Sequence, residues 1–316
     1  MPRDDLSAAR ALSGRDALDA IRAAGPTDTL ARLGAAFSSL GRAEEAVGFY
    51  ERALQDHRAA GDRRREALTL ASLGSAYWQR GRLEDAARAY ADAASLYHSL
   101  GLAEQQATAL NCIGLLHDQL GRLAHAIGYY EQAPALLWEA GDQAGEANTL
   151  DVIGMAQRRL GALDAAREAH EQALRLRRQL RDRAGEAATR HALALVFEAG
   201  GETERAIVYY EWALRLRQAV GDRVGEALTS YNLAKLYERL NLLPEAEALL
   251  KRAVDIEVLL NLPDASSDET ELAQLRQRRR AAGLPRREEA TGRLPRLTPG
   301  DDEDLPADPT VRHRRS

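Results

Sequence analysis

LASLGSAYWQRGRLEDAARAYADA, residues Leu70–Ala93, places one apolar stripe (Leu70, Leu73, Tyr77) and then a second (Ala86, Tyr90, Ala93) at helical spacing. A short turn containing Gly81 joins them, so the stretch is two helices back to back. The same stripes return every 40 residues, as Gly34, Gly74, Gly114 and Gly154 show in one phase. Gly41, Gly81, Gly121, Gly161 and Gly201 hold a second phase, and Ala46, Ala86, Ala126, Ala166, Ala206 and Ala246 a third. Self-similarity at a fixed period marks a repeat array, in which each unit buries its apolar face only against its neighbours.

Six copies follow from this register: 26–61, 62–101, 102–141, 142–181, 182–221 and 222–261. Each reads helix, turn, helix, turn. Asp62, Asp142, Asp182 and Asp222 stand where a first helix begins, so their side chains are placed to cap its free N–H groups. Glu66, Glu146, Glu186 and Glu226 recur four residues later, near the positive end of the helix dipole. The small residues at the Gly34 and Ala46 positions belong where helix axes approach closely. Ala53, Ala93, Ala133, Ala173, Ala213 and Ala253 take the same part against the following copy, and Tyr50, Tyr90, Tyr130 and Tyr210 fill the spaces between.

The ends and irregularities are read from the same frame. Residues 1–25 echo half a copy and are expected to form an N-terminal capping helix; 262–284 are expected to form a C-terminal one. Residues 285–316 lose periodicity, carry several prolines and few apolar side chains, and are expected to be a disordered tail. Pro134 stands inside a second helix where Leu54 and Leu174 stand in other copies, so a bend is expected near Tyr130–Pro134. Pro244 falls in a first helical turn, where proline is tolerated.

Composition bounds the function classes. A net charge of −5 over 316 residues gives no general attraction to nucleic acid or membrane. Cys112 is the single cysteine, so no internal disulfide forms. The first residues lack the apolar run of a secretory signal and no stretch reaches a bilayer-spanning length, so a soluble, cytoplasmic monomer is the expectation. The sequence holds no glycine-rich phosphate loop, HExxH or GxSxG, and neither a catalytic residue nor a cofactor nor a metal is assigned. Of seven histidines, His191 alone falls on an expected binding face, level with Asp151 and Asn111, and a metal site built from His191 and Asp151 is disfavoured by the spacing of stacked helices. The arginines Arg276, Arg278, Arg279 and Arg280 read as a solvated face that favours the helix dipole, with a nucleic-acid patch the weaker alternative.

The spacing Leu70-x2-Leu73-Gly74-x2-Tyr77-x8-Ala86-x3-Tyr90-x2-Ala93 resembles the tetratricopeptide repeat, over residues 26–261. Three features depart from that signature: Leu replaces its opening Trp, its closing Pro is missing, and the period is longer. The longer form is similar to the repeats of kinesin light chains, of Leu-Gly-Asn-type adaptors and of bacterial signalling arrays. The resemblance implies an all-α, right-handed α-solenoid of tandem antiparallel helix pairs, whose first helices line a concave groove.

Carried onto that groove, the residues that vary where the scaffold repeats are Trp78, Asn111, Asp118, Gln119, Asn148, Asp151, Arg158, Arg159, His191, Glu198, Tyr231, Lys235, Glu238 and Arg239. They are equally what solvent-facing positions free to drift would look like. Three functions remain open. The first is a non-enzymatic scaffold or adaptor holding a peptide or partner protein, without nucleic acid or membrane. The second is a regulatory subunit controlling a separately encoded enzyme or transcription factor, and an enzyme with a helical-repeat active site is third. Arg158 and Arg159, read as exposed, suggest an acidic anchor in the ligand.

Overall fold

A computed structural model describes residues 26–285. The N-terminal capping helix expected over 1–25 and nearly all of the expected tail lie outside them. Fourteen helices succeed one another among the described residues, and no strand is found there. In order they are α1 Pro26–Ser39, α2 Ala43–Ala59, α3 Arg63–Gln79, α4 Leu83–Ser99, α5 Ala103–Gln119, α6 Leu123–Tyr130 and α7 Ala133–Ala140. Then come α8 Gln143–Leu160, α9 Leu163–Leu180, α10 Arg183–Ala199, α11 Thr203–Val220, α12 Arg223–Arg239, α13 Leu243–Leu260 and α14 Ala265–Ala281. They form two compact units, one ending at Asp182 and one starting at Arg183. The first stacks the pairs α1/α2, α3/α4, α5/α6–α7 and α8/α9; the second stacks α10/α11 and α12/α13 and closes on α14. None of these helices is long and apolar enough to cross a membrane.

Both alanine rows behave as close contacts require. Ala46, Ala86, Ala126, Ala166, Ala206 and Ala246 are all 0 % exposed, as are Ala53, Ala93, Ala133, Ala173, Ala213 and Ala253. The glycines of the Gly34 row have a narrower purpose than axis spacing. A Cβ on Gly34 would stand 2.7 Å from the Tyr50 ring, on Gly74 2.9 Å from Tyr90, and on Gly154 2.5 Å from the His170 ring. Each glycine is thus the seat of a ring from the second helix of its own pair.

Helix starts follow the capping expectation where a cap is seen. Asp62 accepts from Arg65 N at 3.0 Å, Asp142 from Gly145 N at 2.9 Å and Asp222 from Gly225 N at 2.9 Å. The glutamates four residues on do more than face a dipole. Glu66 is buried and holds Arg58 at 2.8 Å and Arg63 at 3.3 Å, while the fully buried Glu226 holds Arg223 and Arg252. Glu146 has Trp138 and Gln172 where the others find Arg58 and Arg252; its Oε2 is buried without a partner, and burial raises its affinity for a proton.

Pro134 changes more than the direction of its helix. The second helix of the third pair stops at Tyr130 and restarts at Ala133, with Pro134 in the first turn of α7. There its missing N–H leaves no bond unmade and its ring meets no preceding carbonyl. Both pieces still pack on α5 and on α8, so the stack continues past the break. Pro244 sits in the first turn of α13.

Candidate binding face

The varied polar positions lie on the first helices, α3, α5 and α8 in one unit and α10 and α12 in the other. Most of them are joined to one another. Ser38 and Gln79 exchange hydrogen bonds at 2.9 and 3.2 Å, and Trp78 Nε1 donates to Gln119 Oε1 at 2.9 Å. Asp118 pairs with Arg159, Glu198 with Arg239, and Glu238 with Arg278. The partners in these bonds lie 40 or 41 residues apart, one repeat or one repeat and a single residue. Within the first unit Trp78, Asp118, Gln119 and Arg159, and within the second Glu198, Glu238 and Arg239, therefore form polar rungs between neighbouring helices, with charges neutralised in pairs.

The inner row is likewise engaged. Asp151 receives His170 Nδ1 at 2.8 Å and Arg177 Nη2 at 2.8 Å, and Asn148 Oδ1 receives the same Arg177 at 2.9 Å. Asn111 Nδ2 donates to Thr149 at 2.7 Å. Tyr231 and Lys235 both reach Glu271 on α14, at 3.3 and 3.2 Å, and Lys235 also holds Glu238 at 2.9 Å.

Two placements correct the sequence reading. His191 is 6 % exposed, set between Thr229 (3.2 Å) and Asn232 (3.3 Å) with the Tyr210 ring edge-on at 5.3 Å, so it belongs to the packing and not to a binding face. Arg158 is half-buried, not exposed beside Arg159. The arginines of α14 are also not merely solvated: Arg278 pairs with Glu238, and Arg276 and Arg279 with Glu247.

What remains open on this face lies between α5 and α8. Leu115, 36 % exposed, lines a cavity of about 280 Å³ there together with Thr108, Asn111, Cys112, Asp142, Asn148 and Leu137 among others, and Met155, 45 % exposed, stands one repeat on from Leu115 on α8. Burial raises the Cys112 thiol above its usual range, which keeps it protonated. A second cavity of similar size opens beside Pro134 on the second-helix side, against Ile153, Gln157 and Ala169. Sequence reasoning missed both cavities. The first lies beside Leu137, in a column that otherwise reads His57, Tyr97, Arg177, Arg217 and Glu257, and that change to a short side chain was visible.

A family model described as tetratricopeptide repeat matches residues 27–99, 105–179, 145–219 and 186–256. The chain belongs to the tetratricopeptide repeat family. Among solved structures, this tetratricopeptide protein is similar to BtubC (BKLC) from P. vanneervenii, at 25 % identity and TM-score 0.56, over 68 % of this chain and 88 % of that one. It is also similar to a putative kinesin light chain of Podosopora anserina with nearly identical repeats, at 16 % identity and TM-score 0.53, over 61 % of this chain and 95 % of that one. Aspartyl phosphate phosphatase F from Bacillus subtilis is 14 % identical at TM-score 0.52, over 73 % of this chain and 59 % of that one. The last two likenesses show the fold alone. No curated protein matches the chain.

Proposed function

We propose that this tetratricopeptide protein is a non-catalytic scaffold or adaptor that holds a peptide or partner protein on the face of α3, α5 and α8. The observation that carries the reading is the exposed apolar side chain of Leu115 lining a cavity of about 280 Å³, with Met155 exposed one repeat on, on a face where Asp118 is paired with Arg159. Exposed apolar groups beside a concavity, rimmed by satisfied polar groups, favour burial against a partner. The acidic anchor expected from two adjacent arginines reduces to Arg158, since Arg159 is held by Asp118.

The test is capture of partners from the native extract by the full chain and by Leu115→Glu with Met155→Glu, identified by mass spectrometry. Melting should be unchanged because both side chains are exposed, while capture of specific partners falls severalfold. Intact capture by that variant, with loss on Arg88→Glu or Arg167→Glu on the second helices, would overturn the assignment in favour of the opposite face.

A further inference from the structure

One position of every second helix is buried throughout: His57, Tyr97, Leu137, Arg177, Arg217 and Glu257 are each 8 % exposed or less. In two copies the occupant is an arginine, and the structure shows what holds its guanidinium. Arg217 donates through Nη1 to the Gly225 carbonyl, and its Nε stands 3.8 Å from Asp222 Oδ2. Arg177 donates to Asp182 Oδ2 at 2.7 Å, Asn148 Oδ1 at 2.9 Å and Asp151 Oδ2 at 2.8 Å. Asp182, which opens the next first helix, thus accepts from Arg177, and its counterpart Asp222 stands at ion-pair distance from Arg217, whose Nε makes no hydrogen bond.

The third copy keeps the acceptors without the arginine. Leu137 replaces it, and the cavity of about 280 Å³ opens beside that leucine. Asp142 caps Gly145 N at 2.9 Å through Oδ1, as Asp222 caps Gly225, which leaves Oδ2 available. The equivalence extends to atoms: a Cβ on Gly225 would stand 2.6 Å from Arg217 Nη1, and one on Gly145 3.1 Å from Leu137 Cδ2. Forty residues before the acceptors of Arg177 stand Thr108 and Asn111, both lining the cavity. Asn111 Oδ1 is buried with no hydrogen-bond partner, while its amide nitrogen donates to Thr149. A carboxylate, an orphaned amide oxygen and a hydroxyl thus converge on a space that elsewhere in the same chain holds a guanidinium.

We infer that this cavity receives the arginine side chain of a partner peptide, an inference that rests on the first-helix face being the partner-binding face. The entrance lies beside exposed Thr108, Leu115 and Asn148, so the peptide backbone stays outside while one side chain enters. The volume is just below the roughly 300–1,000 Å³ of small-molecule sites, which suits a single side chain. Guanidinium matches the acceptors better than ammonium, because its fixed fork directs five N–H groups outward in one plane. The N-terminus of α8 alone would favour an anion, but the Asp142 carboxylate reverses that preference, as Asp222 does for Arg217.

The test is NMR titration of the full chain with N-acetyl-L-arginine N-methylamide, following the Gly145 amide and the Asn111 side-chain amide. Both signals should shift saturably. The uncharged citrulline analogue and the lysine analogue should bind about tenfold more weakly or worse, as loss of charge-assisted hydrogen bonds requires. Asp142→Asn, which retains a good helix cap, should weaken the arginine probe to a similar degree. Equal binding of citrulline or lysine, no effect of Asp142→Asn, or shifts confined to other residues would each overturn the inference. Free L-arginine binding about tenfold tighter than the blocked form would identify a metabolite and not a peptide, and overturn it too. So would a Gly145 signal that moves on dilution, which places a second copy in the cavity, or one that moves when arginines beyond residue 285 become Ser, which places this chain's own segment there. Because the probe needs no partner, saturable binding with unaltered capture by the Leu115 and Met155 variant rejects the proposed face while leaving the cavity's chemistry standing.

Discussion

Arg181 ends α9 with φ of 56°, in the left-handed region that the other turns mostly reach with glycine. Asn241 and Asn261 do the same at 59° and 52°, but asparagine tolerates that conformation and arginine does not share the tolerance. A side chain with a Cβ there costs about 1–2 kcal/mol against the following carbonyl. Gly61, Gly101, Gly141 and Gly221 meet the requirement at the equivalent turns without that cost. Arg181→Gly should therefore raise unfolding stability by about 1 kcal/mol, less the extra chain entropy of glycine, as measured by urea denaturation. An unchanged or lower midpoint would mean that the Arg181 side chain contributes more than its backbone strain removes.

At the scale of helices, Pro134 is the clearest departure from the repeat. Leu54, Leu174 and Leu214 occupy its position elsewhere and are all buried, whereas Pro134 borders the cavity against Ile153 and Ala169. Pro134→Leu supplies apolar volume where space is open. The expected gain is about 1 kcal/mol in thermal unfolding, typical of cavity filling. A loss would show that α8 and α9 have settled around the break and reject the added side chain. The sequence disclosed the packing skeleton because one geometric need repeats six times: a small side chain stands at Ala126 and each of its equivalents, all fully buried. The break at Pro134 was legible as a disturbance, not as two separate helices. The binding face was far less legible. A variable Asp118 or Glu198 reads the same whether it meets a ligand or an arginine one repeat on. The complementary pairs Asp118/Arg159, Glu198/Arg239 and Trp78/Gln119, at an offset of 41, were the signal that separates these readings. His191 misled for a related reason: its polarity suggested a surface, yet Thr229 and Asn232 satisfy both ring nitrogens inside the packing.

At the scale of the molecule, a tandem array is as stable as its repeats and the contacts between neighbours, and its terminal repeat depends on what covers it. In the second unit that cover is α14, which brings Leu272 and Leu275 into burial and arginines to Glu238 and Glu247. The same helix also brings Asp268 against Glu257, both buried. Burial, and then the charge and hydrogen bond of Asp268, push the Glu257 carboxyl up to about 7, and Asp268 rises as well, again chiefly by burial. Between the ordinary glutamate value of 4.5 and about 7 the folded protein holds a proton that the unfolded chain has released. The contribution is therefore fully present below pH 4.5 and lost as the pH rises through 7, when two carboxylates must share one buried space. Glu238 acts oppositely and at lower pH: Lys235 and Arg278 outweigh its burial and depress its pKa, so its share is lost as the solution is acidified below the usual carboxylate range. Stability of the full chain against unfolding should thus fall by about 2 kcal/mol between pH 5 and pH 8 through the Glu257 pair. Glu257→Gln, which keeps the shape and a hydrogen bond to Asp268 without the second charge, should flatten that slope and raise stability at pH 8 while changing little at pH 5. Parallel pH profiles for the two proteins would show that α14 does not confine these carboxylates together in solution.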